Sequence, residues 1–173
     1  LRESRKLRRA ERKLVKFANG LCAISQNDHD YFARLHPNVA LLRPFHPYED
    51  MKVVTGEGDY VLLQGDLSIE DNFRSVYHVA ELCHRLDIPC KVAGRSPDLR
   101  AVRQLADLPN IELHLDVAED EMMRLMQNAQ IHVIHSSITS GFKLKLVSAL
   151  FTARHVVARR ILVSKPLREV VHT

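Results

Sequence analysis

Tyr60-Val61-Leu62-Leu63-Gln64-Gly65-Asp66-Leu67-Ser68 is an apolar run of strand length that ends in glycine and opens into a helical pattern from about Ile69 to Leu86. The same order recurs downstream. Cys90–Gly94 is a second apolar run ending in glycine, followed by a helix over Asp98–Ala106. Ile111–Leu115 precedes a Met- and Leu-rich helix at Glu119–Asn128, and Ile131–Ile134 precedes a helix at Gly141–Thr152. His155–Ala158 and a helical turn at Leu167–Val171 close the series. Short apolar strands alternating with helices of about ten residues or more make right-handed βαβ units and a parallel sheet. The spacing predicts an α/β fold: a Rossmann-like parallel sheet flanked by helices.

Upstream of Tyr60 the units are smaller. Leu7, Ala10, Leu14 and Phe17 recur at helical spacing among basic residues, so 1–17 reads as an amino-terminal helical arm that stops by Gly20. Leu21–Ser25 and Val39–Leu42 read as strands. Between them a helix runs from Asp28 to about Leu35, capped by Ser25 or Asn27 and ended by His36-Pro37. Pro44-Phe45-His46-Pro47-Tyr48 is too rich in proline for regular structure and reads as a linker, which divides the chain into 1–48 and 49–173.

Charge follows the same seam. The 173 residues are 46% hydrophobic and 27% charged, a globular composition with a formal charge of +4. Residues 1–17 hold eight basic residues (Arg2, Arg5, Lys6, Arg8, Arg9, Arg12, Lys13, Lys16) against Glu3 and Glu11, a local +6. The rest of the chain is therefore −2, and a protein that coats nucleic acid is disfavoured. Aromatic residues at 6% with no Trp argue equally against a base-stacking surface. The basic arm fits a solvated, interdomain face or an anionic membrane surface. No apolar run approaches the roughly 18–20 residues that span a bilayer, and no signal peptide is visible. Cys22, Cys83 and Cys90 are odd in number, lack metal-ligand spacing and have apolar neighbours, so they read as reduced core thiols of a cytoplasmic protein.

In a parallel sheet, ligands bind beyond the carboxyl ends of the strands, where helix amino-termini present unpaired N–H groups. That rule nominates Gly65 and Asp66 after the first strand, Arg95 after the second, Asp116 and Val117 after the third, and His135 after the fourth. The loop His135-Ser136-Ser137-Ile138-Thr139-Ser140-Gly141 strings hydroxyls and a glycine ahead of a helix carrying Lys143 and Lys145, a chemistry suited to phosphate. The two lysines lie about 200° apart on a helix, so at most one faces the cleft. Lys145 reads as a phosphate partner or a solvated lysine, and Lys143 as solvated. Gly141 serves close backbone approach or helix-start flexibility, while Ser140 and Ser148 serve ligand contact or local capping. The ten histidines form no His-x3-His pair beside a carboxylate, and His132 and His135 fall on opposite strand faces, so no metal site is predicted. No nucleophile or catalytic acid or base can be named.

Several segments carry a family resemblance in register. Tyr60–Ser68 resembles a strand ending in "GxLS", and Lys91-Val92-Ala93-Gly94-Arg95-Ser96-Pro97 resembles "vaGxgP". Asn110-Ile111-Glu112-Leu113, Glu119-Asp120-Glu121-Met122 and Asn128-Ala129-Gln130 resemble "NVxF…DEEL…NAd". Ser140–Leu150 resembles the segment that usually bears an E-x7-E signature. Over about residues 35–173 the chain thus resembles the carboxyl-terminal domain of a group 1 glycosyltransferase of the GT-B fold. The resemblance implies that 1–48 end an acceptor-binding domain and linker, and that 49–173 bind a UDP- or GDP-sugar with no other cofactor. It implies a retaining transfer to a glycan, lipid-linked or small-molecule acceptor, in the cytoplasm or at the inner face of the membrane.

The departures from that family define the expectations further. Ser140 and Ser148 stand where the two glutamates usually touch the donor, and Asp66 and Asp71 stand where a basic pair usually meets its phosphates. Lys145 is then the best phosphate partner, and the "G-x-K-x-K-L" helix resembles a bacterial branch with the same pattern. Two readings outside the enzyme class stand beside it: a non-catalytic nucleotide- or sugar-phosphate-binding module, and a flavodoxin-like interaction domain.

Overall fold

The computed structural model describes residues 5–42, 45, 48–95, 99–138 and 143–173, together with the backbone of 2–4. The chain separates into two compact units, whose described residues run up to 45 and from 48 onward.

The first unit contains α1 (Arg2–Phe17), β1 (Leu21–Ala23), α2 (Gln26–Phe32) and β2 (Val39–Leu41), with β1 and β2 paired in parallel. The α2 cap is Ser25, whose Oγ accepts from the Asp28 N–H at 3.1 Å and donates to the Asp28 carboxylate at 2.6 Å. That double bond starts α2 two residues earlier than the spacing predicts. The apolar stripe of α1 is not what the helix buries: Leu7, Leu14 and Phe17 are 71%, 72% and 78% exposed, and Val15 is the buried residue. Cys22 is exposed and corrects the core-thiol reading, because alternate strand residues face opposite ways and the inward position belongs to Ala23.

The second unit is a five-stranded parallel sheet. Its elements are β3 (Val61–Asp66), α3 (Glu70–Arg85), β4 (Cys90–Arg95), α4 (Leu99–Ala106), β5 (Ile111–Leu115), α5 (Glu119–Asn128), β6 (Ile131–Ile134), α6 (Leu144–Thr152) and β7 (His155–Ala158). The spatial order is β5-β4-β3-β6-β7, with every pair parallel. Counted from β3 this is 3-2-1-4-5, the Rossmann order, whereas a flavodoxin-like sheet runs 2-1-3-4-5. The flavodoxin-like alternative is therefore removed by topology. The turn expected at Leu167–Val171 is a 3-10 segment at Lys165–Glu169. It ends early because Val171 enters the core and His172 exchanges backbone hydrogen bonds with Val156 and Ala158, prolonging the sheet edge.

Period-two alternation sorts the strands between two layers. Val61 and Leu63 of β3 pack on Val76, Val79 and Ala80 of α3 and on Leu105 of α4. Their neighbours Tyr60 and Leu62 pack on Leu125, Met126 and Ala129 at α5. The methionine-rich pattern of α5 is thus core packing, with Met122 and Met123 at its rim. Leu146 and Ala149 of α6 cover Ile134, Val156 and Ala158. Gly94 has a packing reason of its own: a Cβ there would lie 2.5 Å from Leu67 Cδ1 and 3.1 Å from Leu115 Cδ2. Of the sequence-nominated cysteines, Cys83 and Cys90 are buried free thiols.

Candidate functional site

All five strands end on one edge, and between β3 and β6 the order reverses, which opens the crevice where such sheets take ligands. Along that edge lie Gly65 and Asp66 ending β3, Arg95 ending β4, Asp116 after β5, His135 after β6 and Arg159 after β7. Asp66 and Arg95 are register partners.

The crevice itself is built around Gly65. Lys145, in the first turn of α6, donates from Nζ to the Gln64 carbonyl at 3.3 Å. The same Nζ lies 3.6 Å from where a Gly65 Cβ would stand, with Val76 Cγ2 at 3.6 Å and Asn72 Cβ at 3.7 Å. Lys145 keeps contact with solvent, yet the surrounding protein lowers its pKa, first by desolvation and then by Lys143, against the opposing pull of Asp66. An ammonium ion desolvated this way, at a helix start and beside an open glycine, is suited to a phosphate.

Asp66 is turned inward on its own loop. Its carboxylate accepts from the Ser68 hydroxyl at 2.5 Å and from the Ser68 N–H at 3.0 Å. Those bonds, aided by Arg95 and Lys145, hold its pKa below the usual carboxylate value against the effect of desolvation. Its charge is thereby committed to an Asx-type turn.

The remaining nominated residues divide. Asp116 adopts a left-handed backbone (φ 49°), and its N–H donates to the Gly94 carbonyl at 2.8 Å, which pins the exit of β5 at the crevice edge. Val117 is spent on packing against the Tyr60–Leu62 layer. Ser148 is half-buried one turn after Lys145, and its carbonyl accepts from Thr152 Oγ1 at 2.8 Å. Lys143, expected as solvated, is half-buried at the N-cap of α6, since the chain is still entering the helix there and the 200° relation does not apply. Ser140 and Gly141 lie outside the described residues, as do Ser96 and Pro97.

His135 sits just past β6, so it shares no strand face with His132. Its ring is half-buried, 5.5 Å from that of His78, and its pKa is lowered by desolvation, then by His78 and Arg159. His132 is fully buried, and both ring nitrogens lack hydrogen-bond partners. Burial, with a contribution from Lys145, lowers its pKa to about 4. Arg159 was missed by sequence reasoning. The strand-end rule alone would have found Arg159, the residue after Ala158.

A different cavity of about 340 Å³ lies by the amino ends of β3 and β4, lined by Glu57, Asp59, Tyr60, Lys91, Arg124 and Arg154 among others. Its cations are already engaged. Lys91 pairs with Glu112 at 3.0 Å, Arg124 with Asp120 at 3.0 Å, and Arg154 donates to the carbonyls of Gly56, Gln127 and Ala129. Among the described residues, no three His, Cys, Asp or Glu side chains gather as a metal-ligand set.

The strand order and the flanking helices define a Rossmann-ordered α/β unit of the kind that forms one half of the GT-B fold. The chain is similar over 95% of its length to the crystal structure of TarM, at a TM-score of 0.71 and 15% identity, covering 34% of that chain. A mutant of S. aureus TarM in complex with fondaparinux, α-GlcNAc-glycerol and UDP matches 88% of this chain and 32% of its own (TM-score 0.65, 14% identity). A glycosyltransferase from Rickettsia africae ESF-5 matches 84% of this chain and 47% of its own (TM-score 0.59, 12% identity). This chain thus spans about a third of the TarM structures and under half of the Rickettsia one. No protein-family model matches the chain, and no curated protein matches it in sequence.

Proposed function

We propose that this chain carries the donor-binding half of a retaining glycosyltransferase, which takes a sugar from UDP or GDP and passes it to a glycan, lipid-linked or small-molecule acceptor. The observation that carries the reading is Lys145: its Nζ stands over the open Gly65 at the reversal of strand order. As the glycosidic bond breaks, negative charge grows on the departing diphosphate. A fixed ammonium and the start of α6 would stabilise that charge more than they stabilise the ground state. UDP in the complex of S. aureus TarM supports the choice of a nucleotide-sugar donor, and its glycan-type ligands support the acceptor class.

Residues 1–48 are read as the end of an acceptor domain plus its linker. A two-stranded parallel sheet is too small to stand alone, and the exposed Leu7, Leu14 and Phe17 would find cover in a larger domain. The basic face of α1 suits an anionic inner membrane surface, which fits a cytoplasmic enzyme acting on lipid-linked glycans. No helix among the described residues is long and apolar enough to cross a membrane.

The committed carboxylate of Asp66 favours one second reading, a module that holds a nucleotide without transferring its sugar. Calorimetric titration with UDP and GDP tests both readings together. One of the two nucleotides should bind, and Lys145→Ala should weaken it at least about tenfold through the lost charge-assisted contact. If the folded protein binds neither nucleotide, both readings fall. Turnover of the corresponding nucleotide-sugar by the protein with its acceptor domain separates enzyme from module.

A further inference from the structure

His78 on α3, His135 beyond β6 and Arg159 beyond β7 converge from three elements. The two imidazole centroids are 5.5 Å apart with their planes at 44°, and Arg159 Nη1 donates to the carbonyl of Ser136, next to His135, at 3.0 Å. Nδ1 of His135 is buried with no hydrogen-bond partner. Among the described residues, the charged or titratable groups that act on His135 are His78 and Arg159. Lys145 is not among the groups that shift His135, nor His135 among those that shift Lys145. A buried ring nitrogen without a partner is costly, and two basic neighbours raise that cost, so the cluster has the chemistry of an anion site.

We propose that His78, His135 and Arg159 form a second anion pocket on this edge, which takes a phosphate group. The inference does not depend on the donor reading, because it uses none of the residues around Lys145 and Gly65. Desolvation first, and then the two basic neighbours, favour neutral His135. An incoming dianion reverses that preference, so binding draws in a proton and tightens as pH falls. The phosphate could belong to the nucleotide anchored at Lys145 or to a phosphorylated second substrate, and the two sources differ in what Lys145 does to them.

NMR of the imidazole signals during titration with sulfate tests this pocket, since sulfate is a tetrahedral dianion whose charge is constant between about pH 5 and 8. The His135 titration midpoint should rise with sulfate, and the His78 ring signals should move on binding. Above the midpoint, affinity should fall about tenfold per pH unit for each proton taken up. Arg159→Gln and His78→Gln, both at exposed positions, should each weaken sulfate about tenfold, while Lys145→Ala should leave it unchanged. Glycerol phosphate that moves the pair in the Lys145→Ala protein supports the pocket with a second substrate as its source. UDP that moves the pair only while Lys145 is present supports it with the nucleotide as its source. The proposal is overturned if sulfate leaves both imidazoles unmoved, or moves them equally after Arg159→Gln. Neither result touches the calorimetric test of Lys145.

Discussion

Between pH 6.5 and pH 4 the folded protein is expected to lose about 3 kcal/mol of stability through His132 alone. Its imidazole is fully buried in the layer between β6 and the overlying helices, with no partner for either nitrogen, and Lys145 adds like charge. In the unfolded chain the ring takes a proton near pH 6.5, whereas in the folded state it resists protonation down to about pH 4. The unfolded state therefore binds more protons across that window, so its stability rises as pH falls and the native advantage drains away. Above pH 6.5 the contribution is complete and flat. The same two nitrogens cost stability at neutral pH, because their desolvation is repaid by no hydrogen bond. Replacing His132 with leucine should flatten the acid slope and stabilise the protein by about 1–2 kcal/mol at pH 7. Urea unfolding of both proteins at a series of pH values reads both effects, and an identical acid slope in the leucine variant would contradict the assignment.

Gly58→Ala should cost roughly 3 kcal/mol, a fall of about 10 °C in Tm for a chain of this size. The reason is close approach to backbone. A Cβ on Gly58 would stand 2.3 Å from the Asn128 carbonyl oxygen, 2.6 Å from the Gln130 nitrogen and 2.8 Å from the Ala129 carbonyl carbon. None of these atoms is the end of a flexible side chain. The segment is also tied from both sides, with Gly58 N–H donating to Gln130 Oε1 at 2.7 Å and the Gln130 N–H donating to the Tyr60 carbonyl at 2.9 Å. Relief would need the entry to β3 to part from the exit of α5, which carries the sheet's central strand with it. Gly65→Ala is the natural control. Its nearest contacts would be at 3.6 Å, so stability should change little while nucleotide affinity falls as space beside Lys145 closes. A thermal melt in which the two alanine variants unfold together would refute this distinction.

How much of this was legible beforehand depends on what kind of signal each residue carries. β5, α5, β6 and β7 begin and end where the hydrophobic pattern places them, because Pro109-Asn110, Asp116, Gln130 and the Ala153-Arg154 break punctuate short apolar runs. Lys145 stood out in the sequence because it lies at a helix start after a hydroxyl-rich loop, although a solvated lysine would show the same pattern. The commitment of Asp66 to Ser68 was not legible, since an aspartate two residues before a serine reads equally as a ligand contact or a local turn. The outward face of α1 was also hidden: spacing shows that Leu7, Leu14 and Phe17 share a stripe, but not whether this chain supplies what would cover it. His132 defeated the pattern altogether, because a polar residue alternating with Ile131 and Val133 reads as a solvent-facing position and is instead fully buried. Arg159 carries no motif and was within reach only of the strand-end rule, as the residue after Ala158.

The crevice between β3 and β6, with Lys145 over Gly65, is the proposed seat of a nucleotide diphosphate. A structure of the protein with UDP or GDP bound tests it most directly. The diphosphate is expected within hydrogen-bond distance of Lys145 Nζ and over Gly65, at the carboxyl ends of the strands. A nucleotide seated instead in the cavity beside Tyr60 and Arg154, at the amino ends of β3 and β4, would contradict that placement.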